Sequence, residues 1–371
     1  MKIAVNMIQF WSGKMGGMEQ FAANLIEGMS RTSEHEFYLF LNEFQMHLFN
    51  IEGCNVKKLS VSMNNSTEKQ LKTWIDQLNI DVLLCPLFTR FPKVVHIPVC
   101  VLIPDVQHEY FPEFFQQSER EKRNRDIKDA LEHADRIITI SDFSKRTIIE
   151  KFEVNKKEID VIYGDAPKEF QQPIRKQKIE RIKKKYQLPV EFGLYPANFW
   201  PHKNHLNLLK ALSVAKKYHN YSISIVFTGY EKADLQQFDK IQSLVQKLQL
   251  DEQISFLGYV PKKDIPYMYH LASFLIYPSL FEGFGIPLVE AMKTGTPIAA
   301  ANAGSIPEIV QSAGLLFNPY DPNDIADKLV KIMDVKIRKK VIAKGKVRSK
   351  NFSWDKSGQK LLEIFHQIKN H

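Results

Sequence analysis

At 371 residues, 44% hydrophobic and 25% charged, the chain is too long for one ordinary core and too ordinary in composition for a disordered or coiled-coil protein. Its net charge of +9 is uneven: residues 1–150 hold 17 Lys and Arg against 20 Asp and Glu, a net −3, and residues 151–371 hold 34 against 22, a net +12. Cys54, Cys85 and Cys100 form no Cys-x-x-Cys pair, which excludes a disulfide framework or a zinc site and leaves a reducing cytosol as the expected setting.

Read in chain order, short β-branched runs alternate with segments of helical period. Lys2 to Gln9 reads as a strand and not as a signal peptide, because it lacks a basic region followed by a long apolar run. Gly16 and Gly17 open a helix around Glu19 to Met29, and Glu36 to Leu41 is a second strand. Val82 to Leu84 and Val99 to Ile103 are further strands. The apolar run from Val94 to Ile103 is broken by His96 and Pro98 and falls short of the roughly 18 residues of a membrane span. A helix over Asp126 to His133 runs into the strand Arg136 to Ile140, and Ser141 caps a helix reaching Lys151.

The alternation breaks between Gly164 and Pro173 and then restarts. Phe192 to Pro196, Ser222 to Thr228, Ile254 to Leu257, Phe274 to Tyr277 and Pro297 to Ala301 read as strands, with a helix at His205 to Tyr218. Strand, turn, helix, strand is the signature of a parallel sheet with helical crossovers, here in two consecutive copies. Two basic runs, Arg175 to Lys185 and Lys336 to Lys350, read first as solvated helix faces and second as surfaces for an anionic lipid or a phosphate-bearing acceptor. Neither has interleaved aromatics, so nucleic acid is not expected as a partner.

The stretch Tyr277 to Glu290, YPSLFEGFGIPLVE, concentrates the chemistry. A strand ends at Tyr277, Glu282-Gly283-Phe284-Gly285 forms a loop, and Pro287 sits in the first turn of a helix, where its missing N–H costs nothing. Glycines let backbone approach a ligand, and the N–H groups of Phe284, Gly285 and Ile286 at a helix start suit phosphate. Glu282 lies in that loop and Glu290 one turn into the helix, a spacing that lets two carboxylates reach opposite ends of one ligand.

This stretch resembles the Glu-x7-Glu motif of family 4 of the retaining glycosyltransferases, and the likeness extends over nearly the whole chain. RIITISDFSKRTI (136–148), DVIYGDAPKEF (160–170), YPANFWPHKNHLNLLKAL (195–212), ISFLGYVPKKDIPYMYHLASFLIYPS (254–279) and GTPIAAANAGSIPEIV (295–310) are similar to successive elements of that family. The resemblance is to group 1 enzymes of the polysaccharide-mannosyltransferase type. It implies an α/β protein of GT-B fold: two Rossmann-like, doubly wound parallel-sheet domains facing a central cleft, with a C-terminal helix crossing back. Residues 1–170 plus the helix 352–371 would form the acceptor-side domain and residues 171–351 the nucleotide-sugar domain.

The resemblance also implies roles. Gly16 and Gly17 are similar to a glycine loop beside the donor phosphates. Glu282 takes the place of the glutamate that contacts the donor sugar, and Glu290 that of the one holding the ribose hydroxyls. Lys203 matches the lysine that neutralises the leaving diphosphate, with no metal or other cofactor required. Where many members carry an arginine five residues before it, this chain has Asn198. In IPDVQHEYFPEFF (103–115), Pro104-Asp105 stands where members often have His-Asp, and His108 follows; Asp105 and His108 are expected at the cleft. Glu308 matches a common glutamate near the nucleotide, with capping of its own helix as the plain alternative.

The implied activity is hexosyl transfer from a nucleotide-diphospho-sugar, GDP-mannose or a UDP-sugar, to a glycan or lipid-linked acceptor by a same-face mechanism. The setting is the cytoplasm, with contact at the inner membrane face left open. A GT-B epimerase, a phosphorylase and a non-catalytic nucleotide-sugar-binding subunit stay as alternatives. A dinucleotide oxidoreductase could cite Gly13, Gly16, Gly17 and Glu43, but their spacing is not Gly-x-Gly-x-x-Gly and Glu282-Gly283-Phe284-Gly285 would go unexplained.

Overall fold

A computed structural model describes residues 1–10, 17–46, 55–154 and 159–370. Cys54, Gly13 and Gly16 fall outside these residues. The chain divides into two compact units, Met1–Gly164 with Ser353–His371, and Asp165–Phe352. The first boundary falls six residues before the one expected from sequence, and Phe352, expected on the crossover helix, belongs to the second unit.

The N-terminal unit holds seven parallel strands: β1 (Lys2–Asn6), β2 (Glu36–Asn42), β3 (Val56–Val61), β4 (Val82–Cys85), β5 (Val99–Leu102), β6 (Arg136–Thr139) and β7 (Ile159–Val161). Their order is β3-β2-β1-β4-β5-β6-β7. The central strands are apolar without alternation, as a sheet covered on both faces demands; every residue of β4 and β5 is buried.

The helix Gly17–Arg31 turns Phe21, Ala22, Leu25, Ile26 and Met29 inward. The C-terminal helix Trp354–Lys369 packs against it: Trp354 meets Phe21 edge to face at 5.1 Å, and Arg31 pairs with Asp355 at 2.7 Å. Gly28 makes this approach possible, because a side chain there would run into the Trp354 carbonyl.

The second unit repeats the plan with six parallel strands: β8 (Gly193–Pro196), β9 (Ile225–Thr228), β10 (Ile254–Phe256), β11 (Phe274–Tyr277), β12 (Ile298–Ala301) and β13 (Gly314–Phe317). Their order is β10-β9-β8-β11-β12-β13. Both sheets therefore reverse direction once, between β1 and β4 and between β8 and β11. In open α/β sheets that reversal leaves a crevice beyond the C-terminal strand ends, where ligands bind. These are two Rossmann-like units, as the resemblance implies. No helix among the described residues is long and apolar enough to cross a membrane.

Candidate active site

The loops leaving β8 and β11 flank the reversal in the second sheet, and Lys203 and Glu282 sit on them. After β8 the chain makes a short 3₁₀ turn, Pro201–Lys203, and passes through Asn204 at φ +61° into the helix His205–Tyr218. Asparagine tolerates this left-handed conformation. Its side chain also donates to the carbonyls of Pro278 at 3.0 Å and Pro319 at 2.8 Å, fixing the turn to the loop after β11. Leu280 N–H donates to the His202 carbonyl at 2.8 Å, and the Tyr195 hydroxyl to the Lys203 carbonyl at 2.6 Å. The backbone of Lys203 is thus held before its side chain is considered.

That side chain reaches Glu282: Nζ lies 2.6 Å from Oε1, with the two side chains only 16% and 12% exposed. Burial alone would push the Glu282 carboxyl up. The Lys203 ammonium, helped by the Ser279 hydroxyl, outweighs burial and holds Glu282 below its usual range. Beneath them lies Tyr277, whose ring centre is 5.6 Å from Lys203 Nζ. Burial, then the charges of Glu282 and Glu290 among other neighbours, push its phenol well up, so Tyr277 senses both carboxylates.

The glutamate loop is shaped from below by residues that carry no charge. Gly304 adopts φ +60°, and a side chain there would meet the Glu282 amide nitrogen at 2.9 Å. Ser305 N–H donates to the Glu282 carbonyl at 3.1 Å, and the Ser305 hydroxyl to the Phe284 carbonyl at 3.0 Å. Phe284 is buried edge-on against Phe352, so it anchors the loop by its ring. Gly285, at φ +93°, turns the chain into the helix Ile286–Thr294, with Gly283 before it and Ile286 as the first helical residue. The first N–H groups of any helix lack intrahelical partners, which leaves this start suited to an anion.

Glu290, on the same helix, is 8% exposed. Its Oε2 accepts from the Tyr269 hydroxyl at 2.5 Å. Burial pushes the Glu290 carboxyl up to about 7, against the Tyr269 hydrogen bond, and the charge of Glu169 adds to the rise. The two glutamates of one motif therefore sit in opposite electrostatic settings.

The other expected site residues are placed differently. Asn198 Oδ1 accepts from the Tyr230 amide at 2.8 Å, tying the loop after β8 to the loop after β9, so its observed work is structural. Glu308 stands on the first turn of the short helix Ile306–Val310, and its carbonyl accepts from Arg348 at 2.9 Å. Gly17 opens its helix in open space.

His108, expected over the donor sugar, is fully buried. Its Nε2 lies 2.9 Å from Asn124 Oδ1, and burial lowers its pKa. The imidazole lies beside Phe115, and its Nδ1 is buried without a partner among the described residues. Asp105 caps the turn that follows it, accepting from the Gln107 amide at 3.0 Å. Among the described residues, no three His, Cys, Asp or Glu side chains cluster to hold a metal ion.

The sequence marks no role for Tyr195, Tyr269, Gly304 or Ser305. Tyr195 reaches the Lys203 carbonyl eight residues on; the other three act on partners 21 or more residues away, which neither the period of a helix nor a local motif marks.

The sequence profile described as "Glycosyl transferases group 1" matches residues 176–348, and the one described as "Glycosyltransferase Family 4" matches residues 15–164. The chain belongs to the group 1 glycosyltransferases of family 4. O-antigen chain mannosyltransferase B of Escherichia coli is 30% identical to this glycosyltransferase over 66% of the chain and 64% of the relative. The serotype-specific mannosyltransferase WbdA of Escherichia coli is 29% identical over 64% of the chain, a match that spans 29% of that relative's length. In both cases the match covers less than two thirds of the relative.

Among solved structures, sucrose-phosphate synthase from Thermosynechococcus elongatus superposes with a TM-score of 0.80 at 18% identity, over 99% of this chain and 98% of the other. HepE of Anabaena in complex with UDP-glucose gives 0.77 at 19% identity, over 99% and 100%. At these identities the likeness establishes the shared fold of the glycosyltransferase and nothing finer.

Proposed function

We propose that this protein is a retaining hexosyltransferase that takes its sugar from a nucleoside-diphosphate donor without a metal. The observation that carries the reading is the Lys203–Glu282 pair, held at 2.6 Å on adjacent loops at the sheet reversal, with Glu290 on the helix that one of those loops opens. Lys203 is the cation for the leaving diphosphate. Charge grows on those oxygens as the bond to the anomeric carbon breaks, so a fixed ammonium stabilises the transition state more than the ground state. The amides of Phe284, Gly285 and Ile286 share that load. Glu282 accepts hydrogen bonds from donor-sugar hydroxyls, and Glu290 accepts from the ribose diol.

In the reaction the bond from the anomeric carbon to the diphosphate oxygen breaks and the bond to the acceptor oxygen forms on the same face. The acceptor proton passes to the departing phosphate oxygen, so the protein supplies position and charge and no nucleophile. The mannosyltransferase names among the relatives favour a mannosyl donor such as GDP-mannose, with UDP-sugars next, and a growing glycan on a lipid carrier as acceptor. The test is incubation of the purified protein with GDP-mannose or UDP-glucose, an oligomannose or lipid-linked acceptor, and EDTA, with the product anomer read by NMR. A product keeping the donor's anomeric configuration is expected. An inverted product, an isomerised donor without transfer, or activity abolished by EDTA and restored by a divalent cation would each overturn part of the reading.

A further inference from the structure

Glu290 has one partner on one oxygen. Oε2 accepts from Tyr269, while Oε1 makes no hydrogen bond with any described residue, and 8% of the residue stays exposed. A buried carboxyl group with an unused oxygen is costly unless something arrives to use it.

Tyr269 itself is immobilised. It is fully buried at the end of the helix Ile265–Leu271, its ring meets Phe170 edge-on at 5.3 Å, and its carbonyl accepts from the Thr296 hydroxyl at 2.8 Å. Thr296 in turn lies 2.8 Å from Thr294, whose hydroxyl donates to the Glu290 carbonyl at 2.9 Å. Main chain and side chain of Glu290 are therefore tied to the same small network. A phenol is well suited to this place: it donates one hydrogen bond without adding a competing charge, and its rigid ring fixes where that bond points.

We infer that Tyr269 is a positioning residue for the nucleotide ribose: it clamps one oxygen of Glu290 so that the other is presented to the ribose diol. This rests on the reading of Glu290 as the ribose-binding glutamate. Tyr269 does not touch the nucleotide; it removes the rotamers in which Glu290 would turn away. Losing it would weaken contacts made through the ribose hydroxyls and leave contacts to base and diphosphate unchanged.

The experiment measures binding of GDP and UDP, and of their 3′-deoxy counterparts, to the full-length protein by calorimetry. Wild type is compared with Tyr269→Phe and Glu290→Gln. Wild type should prefer the ribonucleotide, and Tyr269→Phe should lose most of that preference, with ribonucleotide affinity falling roughly tenfold and deoxynucleotide affinity nearly constant. Because the ratio compares two ligands on one preparation, a partly unfolded variant does not disturb it. Equal weakening of both nucleotides, or no change in the ratio, would overturn the positioning role. The control separates the two layers of the argument. If Glu290→Gln keeps the full ribonucleotide preference, the ribose role of Glu290 fails first; if it abolishes the preference and Tyr269→Phe does not, only the role of Tyr269 fails.

Discussion

The two units share a strand order and differ in what they place beyond the strand ends. In the second unit, the loops after β8 and β11 bring a lysine and a glutamate into contact, supported by Asn204, Gly304 and Ser305, none of which is charged. In the N-terminal unit, the segment after β5 turns its histidine inward onto Asn124 and spends its aspartate on a turn. Among the described residues, the strand-end loops of the second unit hold a buried ion pair, and the segment after β5 holds a buried imidazole. A fold repeated twice in a chain thus need not carry repeated chemistry, because function sits in loops that the sheet merely positions.

The contrast can be broken most forcefully at Lys203. Lys203→Ala is expected to lower turnover by about 10²–10³, the scale on which a preorganised charge-stabilising donor acts, with a smaller effect on nucleotide binding. A loss below tenfold in steady-state donor turnover would mean that the charged loop pair is not where transition-state charge is met.

Glu290 offers a second, pH-dependent test. An ordinary glutamate ionises near 4.5, and in the folded protein this one keeps its proton up to about 7. Between those values the folded state binds more protons than the unfolded one, so stability falls as pH rises from about 4.5 to about 7. The full swing is on the order of 3 kcal/mol. Glu290→Gln should flatten that part of the stability curve in urea melts taken across the window; an unchanged slope would place the titrating group elsewhere.

The smallest effect is expected in the N-terminal unit. His108→Asn should cost about 1–2 kcal/mol of stability through the lost contact with Asn124, while turnover of the folded fraction changes by less than about threefold, under one kcal/mol of barrier. Thermal melts read beside kcat would show it. A turnover loss comparable to that of Lys203→Ala would end the asymmetry between the units.

Much of this was legible in the sequence because core strands of a parallel sheet are short, apolar and β-branched. Val99–Leu102 and Phe274–Tyr277 announce themselves in that way. Strands β3 and β13 do not: VKKLSV and GLLF lie at sheet edges, where one side meets no further strand and the pattern is diluted by lysines or shortened by a glycine. The glutamate loop was readable from its glycines and proline, which mark backbone that must turn sharply.

The fate of His108 was not readable. A histidine among aromatics can face a ligand or a core, and only the packing of Asn124 from the helix Gln117–His133 decides between them. The contact that Asn198 makes was not readable for a related reason. The Tyr230 amide that it accepts from lies 32 residues away, on a different loop.

The placement of the helix Trp354–Lys369 has a consequence for how the protein is made. Most of the N-terminal unit is translated before the second unit, yet its helix Gly17–Arg31 waits for Trp354 and Gly358 to cover it, and these follow the whole second unit in the sequence. The second unit, Asp165–Phe352, has all its strands before that point. Synthesis runs from the N-terminus and domains fold as units, so of these two units the one begun earlier is completed later, and a ribosome halted near residue 352 would carry a second unit with every strand already made and an N-terminal unit with an apolar helix face still bare.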